Sequence, residues 1–159
     1  VRSRRQRQMC IRDRDKMIFQ GNSSLTLDTK GRMTIPARYR DVLLTESHGK
    51  ITITRNLDGG LLIYPRFEWE SRRKIIMELP SNSRGLQRLL LGNAQDVDID
   101  GSGRVLIAPE LRDIAGIVKD VVLVGMGQKF ELWAADKFAE QQITDLASID
   151  LSQLDSFSL

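Results

Sequence analysis

The stretch Leu25 to Arg40, LTLDTKGRMTIPARYR, returns 72 positions later as Val97 to Arg112, VDIDGSGRVLIAPELR. Under this shift Asp28 falls on Asp100, Gly31 on Gly103 and Arg32 on Arg104. Leu25, Leu27, Met33 and Ile35 fall on Val97, Ile99, Val105 and Ile107, and Arg40-Asp41-Val42 falls on Arg112-Asp113-Ile114. One offset preserves both an apolar alternation and a polar turn. The chain is therefore predicted to hold two copies of one supersecondary unit, each needing its neighbour to close a core. We place the first copy in residues 17–92 and the second, with a closing helix and tail, in 93–159.

Within a copy the order is strand, turn, strand, short helix, hairpin, helix. Leu25 and Leu27 alternate as on a half-buried strand, and Met33 and Ile35 resume the alternation beyond the turn. In Asp28-Thr-Lys-Gly31 the carboxylate can accept backbone N–H groups and the glycine tolerates positive φ. Pro36 sits where a helix can begin, its missing N–H costing nothing there, and Ala37 to Leu44 would be that short helix. Lys50–Thr54 and Leu61–Tyr64 read as strands around Asn56–Gly60. Pro65 opens a helix to about Leu79, and Ser83 can cap another over 84–91. The second copy predicts strands at 93–99 and 104–107 and a helix from Pro109. Its hairpin, Val121–Val124 with Lys129–Trp133, is expected to turn at Gly125-Met-Gly127, before a helix from Ala134 to about Leu146. With no Pro/Gly-rich linker between the halves, interleaved strands would close one small β-barrel and remove exposed edges.

Charge separates what the repeat makes alike. Residues 17–90 carry twelve basic and seven acidic side chains, whereas 91–159 carry five and twelve. A field attractive to phosphate thus belongs to the first copy. The sixteen residues before Met17 hold seven Arg/Lys with no apolar periodicity. They are expected to be a disordered extension that resembles translated adaptor or vector sequence and lies outside the fold. A single cysteine, Cys10, and a single histidine, His48, give no disulfide and no metal cluster. No apolar run approaches the roughly 18 residues of a membrane span, and a reducing cytoplasm is the expected setting.

The start Met17-Ile-Phe-Gln-Gly21, the paired Asp-x-x-x-Arg motifs, the run GRMTIPARYR, and LLIYP followed by Trp69-Glu70 resemble the MraZ family. That family sits in the swapped-hairpin AbrB-like superfamily of bacterial DNA-binding regulators. The resemblance runs from about Met17 to the closing helix. It implies an α+β fold of two pseudo-symmetric swapped-hairpin halves, forming a double-split β-barrel with flanking helices. It further implies a cytoplasmic, nucleoid-associated transcription factor of the division and cell-wall gene cluster. Such a protein would assemble as a ring and bind repeated promoter elements in double-stranded DNA. Neither a cofactor, a metal, a small-molecule substrate nor a membrane is implied. One departure is that Gly101-Ser102-Gly103 lacks a lysine like Lys30.

The residues themselves divide into two groups. Asp28 and Asp100, with Gly31 and Gly103, are expected to build the turns, the carboxylates holding their own loop or an arginine of either copy. Lys30 and Arg32 are the expected DNA contacts, since an arginine fork can read guanine O6 and N7 in the major groove. Arg38 and Arg40 could add phosphate contacts that fix register. Arg104 matches the motif, although its acidic half also suits a structural ion pair. Trp69 and Trp133 are expected as core anchors. Ser102 has neither a Gly-x-Ser-x-Gly frame nor a phosphate-loop lysine beside it, so no enzyme constellation is present. The competing reading is a ring-forming protein-interaction scaffold that uses the acidic half and the Leu86–Leu91 helix.

Overall fold

A computed structural model of the chain describes residues 18–158. The expected extension 1–16 and the start at Met17 lie outside the described residues. The first half runs β1 (Phe19–Thr26), β2 (Arg32–Thr34), α1 (Ala37–Ser47), β3 (Lys50–Arg55), β4 (Leu61–Pro65), α2 (Arg66–Met77), a 3-10 turn (Ser81–Ser83) and α3 (Arg84–Leu91). The second runs β5 (Gln95–Asp98), β6 (Arg104–Leu106), α4 (Pro109–Ala115), β7 (Asp120–Gly127), β8 (Phe130–Ala134), α5 (Ala135–Ser148) and α6 (Ser152–Asp155). The fold is mixed α+β with antiparallel sheets, and the element order repeats as the 72-residue offset predicts.

The halves are joined through hydrogen bonds rather than through a linker. Six strands form one sheet in the order β1-β7-β8-β4-β3-β5, and β2 pairs with β6 in a separate two-stranded ribbon. The first strand of each half thus pairs with the third strand of the other: Leu25 opposes Val121, and Val97 opposes Ile51. In the ribbon Met33 opposes Val105, and across the sheet centre Leu62 opposes Glu131. These registers relate the halves by a pseudo-two-fold axis through the Met33–Val105 and Leu62–Glu131 pairs.

One core follows from this exchange. Met33, Ile35, Leu43, Ile51, Ile53 and Ile63 from the first half meet Val105, Ile107, Leu111, Leu123 and Leu132 from the second, all essentially without exposure. Each such side chain contributes roughly 1.5–3 kcal/mol by leaving water, so neither half retains a closed core alone. A smaller cluster of Leu62, Tyr64 and Trp69 lies on the other face of the sheet, covered by Leu91 and Ala94. Trp69 on α2 and Trp133 on β8 are both buried, as expected for anchors.

Several boundaries differ from the sequence reading. β1 starts at Phe19 rather than near Ser24, because the polar run Gly21–Ser24 is held by its pairing along β7, within eight register positions for the whole strand, and not by its own periodicity. Gly125 and Gly127, expected in the hairpin turn, belong to β7. The turn is tighter, with Met126 N–H donating to the Lys129 carbonyl at 2.9 Å. Gly125 lies so close to β1 that a side chain there would collide with the Phe19–Gln20 backbone. α1 starts at Ala37 with Pro36 at its N-cap, as expected, but runs to Ser47 rather than Leu44, and Ser83 occupies the N-cap of α3 without a capping side-chain bond.

Candidate nucleic-acid interface

Both Asp-x-x-x-Arg turns fold the same way, for a reason visible in their hydrogen bonds. Asp28 Oδ1 accepts from the backbone N–H of Lys30 and of Arg32, each at 2.9 Å. The Arg32 guanidinium donates through Nε to Asp28 Oδ2 at 2.8 Å. In the second copy Asp100 Oδ1 accepts from Ser102 and Arg104 N–H at 2.9 Å, and Arg104 Nε reaches Asp100 Oδ2 at 3.1 Å. These bonds, the one from the arginine backbone first, hold both carboxyls below their ordinary pKa. Gly31 and Gly103 close the turns at φ 81° and 78°, where a side chain would be strained.

The ribbon then carries the two turns to one place. Met33 and Val105 face the core, and the alternation turns Arg32, Thr34, Arg104 and Leu106 outward. Across the strands Arg32 opposes Leu106 and Thr34 opposes Arg104. Arg104 Nη1 comes within 4.0 Å of Asp28 Oδ2, an ion-pair distance that links the halves. The arginine side chains remain about a third exposed, Arg32 at 28% and Arg104 at 33%. Each spends its Nε on its own aspartate, and neither makes an Nη hydrogen bond among the described residues, although Arg104 Nη1 lies in ion-pair range of Asp28. The aspartate thereby fixes the plane of the fork without occupying its outer edge, the edge a bidentate acceptor requires.

The other expected contacts fall in different settings. Lys30 is exposed at the tip of the first turn, opposite in pseudo-symmetry to the uncharged Ser102. Arg38 is exposed on α1, bonded to Ser23 Oγ at 2.6 Å, with its guanidinium carbon 4.6 Å from the Tyr39 ring centroid. Arg40 is half-buried: Nη2 donates to the Ile35 carbonyl at 2.8 Å, and the side chain lies under Gly103 of the other copy. Arg112 repeats this arrangement, with Nε on the Ile107 carbonyl at 3.0 Å beneath Gly31. These two arginines hold the turns from below. The offset that pairs Arg40 with Arg112 was the sequence signal for the pair; the contact itself crosses between halves. Arg66 was not anticipated at all. It opens α2 and donates to the Ile51 carbonyl, Thr52 Oγ1 and the Val97 carbonyl, with Asp96 3.5 Å away, so it ties β5 to β3.

Comparison with known proteins decides the family. A family model described as "MraZ protein, putative antitoxin-like" matches the chain twice, over residues 18–87 and 90–156. The chain belongs to the MraZ family. The Transcriptional regulator MraZ of Bordetella pertussis is 57% identical over 141 residues, 89% of this chain and 99% of the relative. That of Herminiimonas arsenicoxydans is 53% identical over the same shares, and that of Paraburkholderia xenovorans is 53% identical over 82% of this chain and 92% of its own. Each of the two MraZ matches contains one Asp-x-x-x-Arg turn and one outward arginine of the ribbon. Among the described residues no group of His, Cys, Asp and Glu could hold a metal ion, and no helix is long and apolar enough to cross a membrane.

Proposed function

We propose that this chain is a sequence-specific DNA-binding transcriptional regulator whose reading element is the β2–β6 ribbon with its two turns. The observation that carries the proposal is the aspartate-held arginine pair. Arg32 and Arg104 sit on one face, oriented through Nε, with outer guanidinium edges that suit guanine O6 and N7. Lys30 and Arg38 add charge for phosphate, and Arg40 serves the site by supporting Gly103. The name borne by the relatives supports regulation of transcription. The exchanged pairing of β1 with β7 and of β5 with β3 supports a swapped-hairpin, double-split barrel as the fold's description.

In this reading the chain works in the cytoplasm at the nucleoid, on the division and cell-wall gene cluster. Several copies form a ring and engage repeated promoter elements. Individually weak contacts gain from effective concentration once one ribbon is bound. An interaction scaffold is the second reading, favoured by one feature: α5 leaves Ile143 and Leu146, 70% and 76% exposed, beside acidic neighbours.

The separating experiment titrates a promoter fragment against a scrambled duplex, using protein that begins at Met17 so that the preceding arginines contribute nothing. Arg32→Ala is expected to weaken promoter binding while fold and assembly state persist. Unchanged affinity for that variant would remove Arg32 from the site, and equal affinity for both duplexes would favour the scaffold.

A further inference from the structure

The outer face of the ribbon is two-fold symmetric in backbone and one-sided in chemistry. Arg32 and Arg104 are related by the pseudo-dyad through Met33–Val105, and so are Thr34 and Leu106. One mate of the second pair is a hydroxyl-bearing side chain and the other is apolar. Leu106 is 46% exposed, the one large apolar side chain on a face otherwise made of Arg32, Thr34 and Arg104. A solitary exposed leucine needs no explanation in general. Here, however, it stands directly opposite Arg32 in the register. Opposed residues on one face of an antiparallel pair have Cβ atoms about 4.5–5.5 Å apart. The two side chains thus leave the ribbon side by side and can reach adjacent base pairs, which stack roughly 3.4 Å apart.

We infer that Leu106 is a specificity-determining residue that packs on the C5-methyl group of a thymine next to the guanine contacted by Arg32. The inference rests on the DNA-binding reading above. In the major groove thymine is the base that offers a methyl group, and apolar side chains are its ordinary partners. The dyad-related position, occupied by Thr34 beside Arg104, offers a hydroxyl and a smaller apolar surface. Lys30 and Ser102 differ in the same sense at the turn tips. One ribbon is therefore not equivalent to itself reversed: it distinguishes the two directions along a duplex.

Replacing thymine by deoxyuridine tests this, because it removes the methyl and leaves the base-pairing edge intact. A site is first selected from a randomised duplex pool with protein beginning at Met17, and each thymine in it is replaced singly. The guanine read by Arg32 is located by 7-deazaguanine substitution, as the position where Arg32→Ala no longer matters. Wild-type protein is expected to lose about three- to fivefold in affinity at the neighbouring thymine, the size of one methyl leaving apolar contact. Leu106→Ala, on an exposed position, should fold normally, bind the thymine duplex about as weakly, and ignore the uracil change. Indifference of the wild type to every uracil substitution would overturn the inference while leaving Arg32-dependent binding intact. So would a Leu106→Ala variant that remains as uracil-sensitive as wild type. Loss of the Arg32 dependence itself would instead overturn the underlying DNA-binding reading, and the inference with it.

Discussion

Gly103 of the second turn lies against the Arg40 side chain of the first half so closely that a Cβ on the glycine would overlap the guanidinium. Its counterpart Gly31 meets Arg112 in the same manner, a built Cβ falling 2.8 Å from Cζ. Each turn is thus braced by an arginine from the opposite copy, and the Ile35 and Ile107 carbonyls hold those arginines in place. Gly103→Ala combines a strained φ of 78° with a displaced Arg40. It is expected to destabilise the fold by about 1–3 kcal/mol, measured by urea denaturation. Arg40→Ala in the same background should relieve part of the steric term, so the two changes should be less than additive.

A second outcome concerns Arg66. Its side chain is 19% exposed and serves two main-chain carbonyls and Thr52 Oγ1, with Asp96 and Asp98 at ion-pair range. Bonds of a charged donor contribute about 1.5–3 kcal/mol, and their loss leaves acceptors unsatisfied. Arg66→Ala should therefore destabilise by an amount of that order. Amide exchange should accelerate more in β5 than in β1, because β5 has four paired positions on β3 whereas β1 has eight on β7. Equal acceleration in both strands would show that Arg66 does not hold β5 in particular.

Acid should reveal the turn carboxylates. The pKa values of Asp28 and Asp100 are depressed in the folded chain, so unfolding lets both bind protons more readily. Their stabilisation is complete above the unfolded value of about 3.9, and it declines as pH falls from there through the folded values. Unfolding midpoints between about pH 6 and pH 2 should show this acid limb. The Asp28→Asn, Asp100→Asn double variant should flatten it. A double variant with an unaltered acid limb would place the pH sensitivity elsewhere.

The two turn tips allow a further test of the ribbon. Lys30 is exposed and in no ion pair among the described residues. Lys30→Ser makes the first tip like the second, and removing one phosphate contact should lower the logarithmic salt slope of DNA binding by about one. Base preference should be retained. Arg32→Ala should instead relax preference at one base position by about 1–3 kcal/mol. Identical effects of both variants on every duplex would argue that Arg32 meets phosphate only.

The repeat, the turn chemistry and the charge division were legible in the chain because each depends on near neighbours. An aspartate four residues before an arginine needs only a turn to reach it, and Asp28 and Asp100 both do so. Alternation likewise told which side of β2 and β6 would be buried. It could not tell that Phe19–Ser23 extends β1, since those residues are ordered by β7 about a hundred positions away. Nor could it separate Arg40 from Arg32. Both are arginines of the first, basic half, yet one faces outward from the ribbon and the other props the opposite turn.

By itself the sequence determined that two like halves exist, where each one turns, and which of them carries positive charge, all properties of local pattern and composition. Only the tertiary structure decided that β2 and β6 meet across a pseudo-dyad, so that Arg32, Arg104 and Leu106 share one face. Strand exchange is set by which pairing buries the most apolar surface at once, and that is a property of the whole core rather than of any segment.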